Sequence, residues 1–285
     1  MRTMGHGLEG AIGKLVDGDD GLPAEDVGFW TKEKHAYLCR YVGISRSVRS
    51  LWTAPRKAGA TYIDPFCGPG RAKVRETGEF IDGGAVAAWK ESVAGGSPFT
   101  KVYIGDLDGK RLDAAEERLR RLGAPVETFG GAAVEAIETL IPKLNPYGLH
   151  FAFLDPFSLE ALDFRMIRAL SGIKRIDILV HIAQMDLQRN MGKNLSGDDE
   201  AFETFAPGWE SAVNKDQGQK GVRQEVFSHW RTSVEKLGVW PSTEMKLITG
   251  SKNQPLYRLL LAAKHDLAHK FWATASNPSG QTSLF

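Results

Sequence analysis

Thr61-Tyr62-Ile63-Asp64 leads directly into Pro65-Phe66-Cys67-Gly68-Pro69-Gly70. The first four residues are typical of a strand, and the turn after them holds two glycines. An open parallel sheet binds nucleotide-like ligands at such a position, where strands end. Gly68 and Gly70 lack a Cβ, so a ligand can approach the backbone closely. We expect ligand contacts from Asp64, whose carboxylate can accept from a cationic amine, and from Phe66, Gly68 and Gly70. The alternative is a turn that only reverses the chain.

The run from Val102 to Asp106 predicts a second strand that ends in an acid. An acid at this place can bind both hydroxyls of a ribose, at roughly 1.5–3 kcal/mol for each charge-assisted hydrogen bond. We assign this role to Asp106, with Leu107 beside it, whereas Asp108 is the candidate cap of the next helix. The GxxxxGK[ST] and GxGxxG motifs are absent from the sequence, which disfavours P-loop and nicotinamide proteins.

Short apolar runs alternate with helical patterns through the middle of the chain, which indicates βαβ units. The predicted strands are 61–64, 101–106, 125–128, 149–155 and 176–182, and the predicted helices are 84–93, 109–122, 132–143 and 160–171. Right-handed crossovers place such helices on both faces of a mostly parallel sheet. The sequence therefore predicts a Rossmann-like α/β fold.

The remaining segments predict one domain with a leader and a tail. Residues 1–27 are rich in Gly, Asp and Glu and are expected to form a flexible leader. The domain spans 28–275 and opens with an amphipathic N-terminal helix within 28–55, whose basic residues we interpret mainly as a solvated face. The polar segment 186–221 predicts a lid or insertion. Runs 244–249 and 256–263 predict an antiparallel hairpin, and 276–285 a flexible tail.

Composition narrows the class of protein. The 285 residues are 42% hydrophobic and 25% charged, with a net charge of +1, as in ordinary globular proteins and unlike histone-like proteins. The sequence lacks both a membrane-length apolar run and the apolar core of a signal peptide, so we expect a cytoplasmic protein. Its two cysteines, Cys39 and Cys67, lack zinc-site spacing, so a reduced, metal-free chain is expected.

Phe151-Ala-Phe-Leu-Asp155-Pro156-Phe157 places an Asp-Pro-Phe turn after an apolar strand. It resembles the Asp-Pro-Pro-aromatic turn of amino-methyltransferases, although the second proline is missing. In those enzymes the carboxylate and a backbone carbonyl accept the N–H groups of an amine, and the ring stacks on the base, at about 1–3 kcal/mol. The resemblance makes Asp155, Pro156 and Phe157 the catalytic candidates. The alternative is that Asp155 only caps the helix from residue 160.

Two further features suggest partners. The long loop 71–84 contains Arg71, Lys73 and Arg75, which can meet the phosphates of a nucleic acid or remain solvated. The C-terminal Gln281-Thr-Ser-Leu284-Phe285 looks like the peptide with which bacterial DNA-processing proteins dock on the replication sliding clamp, through Gln281, Leu284 and Phe285. The alternative for this peptide is a frayed terminus.

Taken together, these motifs resemble the three-Cys-motif partner protein (TcmP) family, which looks like a branch of the class I methyltransferases that use S-adenosylmethionine (SAM). The matching pieces are Phe29-Trp30, Lys34-His35, 62–68, Asp82-Gly83, 154–157, 177–179, 256–265 and Phe271-Trp272. The resemblance covers nearly the whole chain from Phe29. It implies a seven-stranded sheet with the last strand antiparallel, and a radical-SAM-like three-cysteine partner.

The sequence departs from the pattern at two places. Gly83-Gly84 stands where family members often have Gly-Ser, and Gly130-Gly131 stands where many methyltransferases have an acid near the adenine. Adenine recognition then falls to backbone groups or to Phe129. The leading hypothesis is a SAM-dependent methyltransferase acting on nucleic acid, DNA in the first place. The alternatives are a non-catalytic, methyltransferase-like partner subunit and a small-molecule methyltransferase.

Overall fold

A computed structural model describes residues 13–189, 191–250 and 252–277. The strands are β1 Leu15–Asp17, β2 Pro23–Val27, β3 Ala60–Asp64, β4 Arg71–Val74, β5 Phe80–Asp82, β6 Lys101–Asp106, β7 Val126–Gly130, β8 Leu149–Leu154, β9 Ile176–Ala183, β10 Trp240–Pro241, β11 Lys246–Thr249 and β12 Pro255–Ala263. The helices are α1 Trp30–Ile44, α2 Arg46–Thr53, α3 Gly84–Ala94, α4 Gly109–Arg121, α5 Ala133–Leu140, α6 Phe164–Ser171, α7 Gln184–Arg189, α8 Met191–Ser196, α9 Ala201–Phe205, α10 Trp209–Ala212, α11 Gln219–Glu235 and α12 Asp266–Ser276.

The main sheet has the strand order β10-β12-β9-β8-β3-β6-β7, with β11 also paired to β12. β3, β6, β7, β8 and β9 run parallel, and β12 runs antiparallel to β9. The chain moves outward from β3 to β6 and β7 and then returns to β8. The order therefore reverses between β3 and β8, and the carboxyl ends of these two strands flank the crevice where such sheets bind ligands.

The predicted Rossmann-like sheet and its antiparallel last strand are confirmed, but the described sheet has eight strands rather than seven. The place beside β12 is shared by the short strands β10 and β11. Pro241 has no N–H to donate, and the hydroxyl of Ser242 accepts from the N–H of Leu261 at 3.2 Å. The backbone ladder is therefore interrupted between the two short strands.

Two apolar cores lie on opposite faces of the main sheet, because adjacent strand residues point to opposite sides. Ile63 packs in the core that includes residues of α5, α6 and α11. Its neighbour Tyr62 packs in the core that includes residues of α1, α3, α4 and α12. Helices thus cover both faces, as predicted from the βαβ pattern.

The expectation of a flexible leader is wrong for residues 13–27, which contain β1 and β2. These strands join β4 and β5 in a separate four-stranded sheet, so the predicted loop 71–84 is also wrong. Charged contacts help to hold this sheet, together with the buried Ala24, Ala72 and Val74, and such contacts leave no apolar periodicity in the sequence. The guanidinium of Arg118, from α4, donates to both carboxylate oxygens of Asp20 at 2.6 and 2.7 Å and to the carbonyl oxygens of Leu22, Pro23 and Pro69.

The N-terminal helical segment is divided into α1 and α2 at Ser45. Arg49 does not lie on a solvated face, since it is buried and donates to the carbonyl oxygens of Val42 and Ser97. In the predicted lid, the side chains of Phe202 and Phe205 in α9 are fully buried in the core. A lid motion remains a prediction. Within the described part of the chain, none of the helices is both long and apolar enough to span a membrane.

Candidate functional site

Asp64 ends β3 and shapes the glycine turn. The N–H of Phe66 donates to one carboxylate oxygen at 3.1 Å, and the hydroxyl of Tyr62 donates to the other at 3.1 Å. Burial raises the pKa of Asp64 to about 7, and the charge of Asp155 adds to this shift. Asp64 therefore sits between its two ionisation states near neutral pH, where a cation bound beside it favours the ionised form.

Asp106 connects the end of β6 to the glycine turn. Its carboxylate accepts from the N–H of Gly68 at 3.0 Å and from the N–H of Asp108 at 2.9 Å. A carboxylate has about four acceptor positions, so this side chain retains capacity for a ligand. Asp108 caps α4 by accepting from the N–H of Lys110 at 2.8 Å, as predicted. The turn also needs its second glycine, because Gly70 has φ +77°.

A cavity of about 660 Å³ opens at the carboxyl edge of β3, β6 and β8. It brings together most of the residues selected from the sequence. The cofactor candidates that line it are Asp64, Phe66, Gly68, Gly70, Asp106 and Leu107, and the acceptor candidates are Asp155, Pro156 and Phe157. The volume is within the usual range of about 300–1,000 Å³ for small-molecule sites. The two ends of the predicted site therefore share one space.

Phe129 is not among the residues that line this cavity. Its ring packs against Tyr103, with centroids 5.6 Å apart, and lies under the ammonium group of Lys143. The predicted contact of Phe129 with adenine is therefore not supported. Glu135, on the first turn of α5, does line the cavity. Glu135 thus supplies an acid close to Gly130-Gly131 at the end of β7, where many methyltransferases have an acid near the adenine.

Asp155 is held by two side chains that the sequence motifs did not assign to the site. Nζ of Lys34 donates to Oδ2 at 2.6 Å, and Nδ1 of His181 lies 3.0 Å from Oδ1. Burial alone would raise the pKa of Asp155, but the charges of Lys34 and His181 hold it below its ordinary value. The alternative of a helix cap is wrong for Asp155, because α6 is capped by Asp163.

Lys34, His181 and Tyr257 complete the acceptor end of the cavity. They come from α1, β9 and β12, and the rings of His181 and Tyr257 lie 4.1 Å apart. Burial alone would lower the pKa of Lys34, but the carboxylate of Asp155 raises it above its ordinary value. The Lys34-His35 pair was one signal for this cluster, since it belongs to the TcmP resemblance. Tyr257 lies in the piece 256–265 of the same resemblance, whereas His181 carries no local signal.

The basic residues predicted for phosphate contact lie on and after β4 and have partners within the chain. Arg71 forms ion pairs with Asp19 and Asp82 at 2.6 and 2.8 Å, and Arg75 pairs with Asp26 at 2.9 Å. Lys73 lies over the ring of Phe80. Arg71 and Arg75 line the cavity, whereas Lys73 does not. Gln281, Leu284 and Phe285 lie outside the described residues.

No protein-family model matches the chain, and no curated protein matches it. Among solved structures, the Legionella pneumophila protein LPL1258 is similar at 12% identity and a TM-score of 0.50, over 88% of this chain and 94% of that one. An O-methyltransferase from Bacillus cereus, in complex with S-adenosylhomocysteine (SAH), shows 16% identity and a TM-score of 0.46 over 86% of each chain. The O-methyltransferase TomG from Streptomyces achromogenes, involved in tomaymycin synthesis and in complex with SAM, shows 14% identity and a TM-score of 0.42 over 79% of each chain. At these identities the likeness concerns the fold alone, and the Rossmann-like α/β fold of this chain rests on its own strand order.

Proposed function

We propose that this chain is a SAM-dependent methyltransferase that acts on an amino group of a nucleic-acid base, in DNA first, together with a radical-SAM-like three-cysteine protein of the kind that the TcmP resemblance implies. One observation carries the proposal. The glycine turn with Asp106 and the Asp-Pro-Phe turn with Asp155 line a single cavity at the point where the strand order reverses. A methyl donor and its acceptor must meet in such a shared space.

The cavity suits this cofactor in charge as well as in volume. Among the described residues that line it, acids outnumber Lys and Arg side chains, which favours a ligand that carries a positive sulfonium. Asp106 would bind the ribose hydroxyls, Asp64 the amino group of the methionine part, and Glu135 the amino group of the adenine. SAM, when bound, supplies a methyl group that the sulfonium already activates, so orientation by the protein supplies much of the acceleration.

Phe157 supports a base as the acceptor. Its side chain lines the cavity and is 42% exposed, so a base taken out of the stack can lie on its ring. The phosphate contacts proposed for Arg71, Lys73 and Arg75 have less support, because Arg71 and Arg75 already form ion pairs. We also propose that the replication sliding clamp is a partner that binds Gln281, Leu284 and Phe285. The proposed location of the protein is the cytoplasm.

Two measurements test the proposal. Calorimetry with SAM is expected to show binding to the unaltered protein and weaker binding to Asp106→Ala. An affinity that this substitution leaves unchanged would remove Asp106 from the ribose site. Label transfer from radioactive SAM to separate DNA, RNA and protein pools is expected to mark DNA, and no label in any pool would refute the transferase activity.

A non-catalytic partner subunit is the second candidate, and one observation favours it. Oδ2 of Asp155, which an acceptor amine would use, already accepts from Lys34. A protein that recruits the three-cysteine enzyme needs no open acceptor site. SAM binding without label transfer, together with retention of the three-cysteine protein on a column of this chain, would favour this candidate. Label confined to low-molecular-weight compounds would instead indicate a small-molecule methyltransferase.

A further inference from the structure

The contact between Lys34 and Asp155 joins residues 121 positions apart in the chain. The two side chains are 13% and 14% exposed, and both residues line the cavity. Their pKa shifts keep Lys34 protonated and Asp155 ionised, so the pair presents an N–H donor next to a carboxylate acceptor. Because Asp155 stands at the proposed acceptor turn, this donor lies beside the group that is to be methylated.

Neither partner is saturated by the contact. An ammonium group has three N–H donors, and a carboxylate has about four acceptor positions. The second oxygen of Asp155 faces His181, whose ring is packed against Tyr257. The hydrogen bond from Lys34 holds the carboxylate beside the ammonium group, so Lys34 and Asp155 can bind one ligand side by side without separating.

The donor and the acceptor are complementary to one kind of ligand edge. In adenine the exocyclic amine donates, and the adjacent ring nitrogen N1 accepts. In cytosine the amine at C4 and the ring nitrogen N3 have the same arrangement. On the basis of the function proposed above, we propose that Lys34 is a specificity residue that donates to the ring nitrogen next to the amino group bound by Asp155. The acceptor is then an amino base with a free Watson–Crick edge.

Single-stranded oligonucleotides with one altered base test this inference. The bases are adenine, 1-deazaadenine, which lacks the ring acceptor, and 7-deazaadenine, which is altered at the other edge. Cytosine and 3-deazacytosine form a second series that distinguishes the two amino bases. Each oligonucleotide is assayed for labelled-methyl transfer and, in the presence of SAH, for equilibrium binding by fluorescence anisotropy.

The unaltered protein is expected to discriminate against 1-deazaadenine, or against 3-deazacytosine, by about ten- to a hundredfold, the range for a hydrogen bond from a charged donor. Binding and methyl transfer should be the same for 7-deazaadenine as for adenine. Lys34→Met should weaken binding and methyl transfer to the natural base by the same factor, and it should remove the discrimination between the natural and the ring-altered base. Lys34→Gln, which retains N–H donors, should restore part of it. Lys32→Met is the matched control, because Lys32 on the same helix pairs with exposed Glu79.

The outcomes separate the two proposals. Equal use of natural and ring-altered bases by the unaltered protein, or discrimination that survives in Lys34→Met, overturns the role of Lys34, and so does the absence of binding in both series. Discrimination in binding without methyl transfer would support Lys34 while refuting the transferase. Thermal melting of Lys34→Met and Lys34→Gln excludes a loss that arises only from unfolding.

Discussion

Asp64, Asp106 and Asp155 follow or end neighbouring parallel strands, yet each carboxylate has a different set of partners. Asp64 accepts from the hydroxyl of Tyr62 and from an N–H of its own turn, and Asp106 accepts from backbone N–H groups of two turns. Asp155 alone is bound by cationic or imidazole side chains. Burial therefore raises the pKa of Asp64 and Asp106, whereas Lys34 and His181 lower the pKa of Asp155. The surroundings of each carboxylate, rather than the residue type, therefore determine the direction of its pKa shift.

The raised pKa of Asp64 also predicts how the free energy of unfolding changes with pH. Its pKa in the folded protein is about 7, above its ordinary value of 3.8, so between these values the folded state binds more protons than the unfolded state. Raising the pH through this window therefore lowers the free energy of unfolding. Asp64→Asn should remove this contribution, and its urea unfolding should show a shallower decline. A decline equal to that of the unaltered protein would contradict the assignment.

Gly70 lies where the glycine turn packs closely against α4. A Cβ at Gly70 would lie 3.2 Å from the Cα of Ala115 in α4, and the backbone there is left-handed. Gly70→Ala should cost about 2–4 kcal/mol, from backbone strain and overpacking together. Gly78→Ala is the control, because its φ is +71° but nothing lies within 4 Å. Gly78→Ala should lower the free energy of unfolding, measured with urea, by only about 1–2 kcal/mol. Equal losses in the two variants would show that packing against Ala115 contributes nothing.

At the scale of elements, the buried cation Arg118 binds the connection between β1 and β2. Arg118 binds Asp20 and three carbonyl oxygens, and it lowers the pKa of Asp20 to about 2. The small sheet that contains these strands also supplies Glu25, which lines the cavity and pairs with Arg111 at 3.0 Å. β2 thus forms part of one wall of the candidate cofactor site.

Arg118→Met is therefore expected to lower the free energy of unfolding by about 2–3 kcal/mol, since it leaves several polar groups without their donor. It should also accelerate amide hydrogen exchange in β2 more than in β3. Arg120→Met, from the same helix, is the control, because the pair of the exposed Arg120 with Glu116 contributes about 0.5 kcal/mol at most. Unchanged exchange in β2 would show that other contacts hold the small sheet.

The whole molecule is organised around one sheet with a core on each face. The segment predicted as a lid belongs to one of these cores, because Phe205 of α9 stacks on Trp230 of α11 with centroids 5.3 Å apart. α12 belongs to the other core through Trp272, whose indole donates to the carbonyl oxygen of Glu244 at 2.9 Å. α12 therefore packs as part of the domain.

Deletion of residues 281–285 should leave the melting temperature and the affinity for SAM unchanged, because both depend on the sheet and its two cores. The same deletion should abolish co-elution with a bacterial sliding clamp in gel filtration, if Gln281, Leu284 and Phe285 form the docking peptide. A Gln281→Ala, Leu284→Ala, Phe285→Ala variant is the side-chain control. Co-elution that persists in both variants would exclude this peptide as the docking site.

The alternation of apolar runs and the positions of Asp64, Asp106 and Asp155 are properties of short segments. They predicted the parallel sheet, the helices on both faces and the meeting of the two turns in one cavity, because strand ends in such a sheet must converge on one edge. The antiparallel hairpin followed in the same way from two runs and a polar connection. Local patterns were sufficient wherever one segment carries its own burial signal.

Only the tertiary structure brought Lys34, His181 and Tyr257 to Asp155, and β1 and β2 to the small sheet. These contacts join residues far apart in the chain, and several of them are ionic. A charged side chain shows the same local pattern whether it is solvated or paired in a cavity. Its partner is determined by how the elements pack, which is why the partners of Lys34 and Arg118 could not be assigned from the sequence.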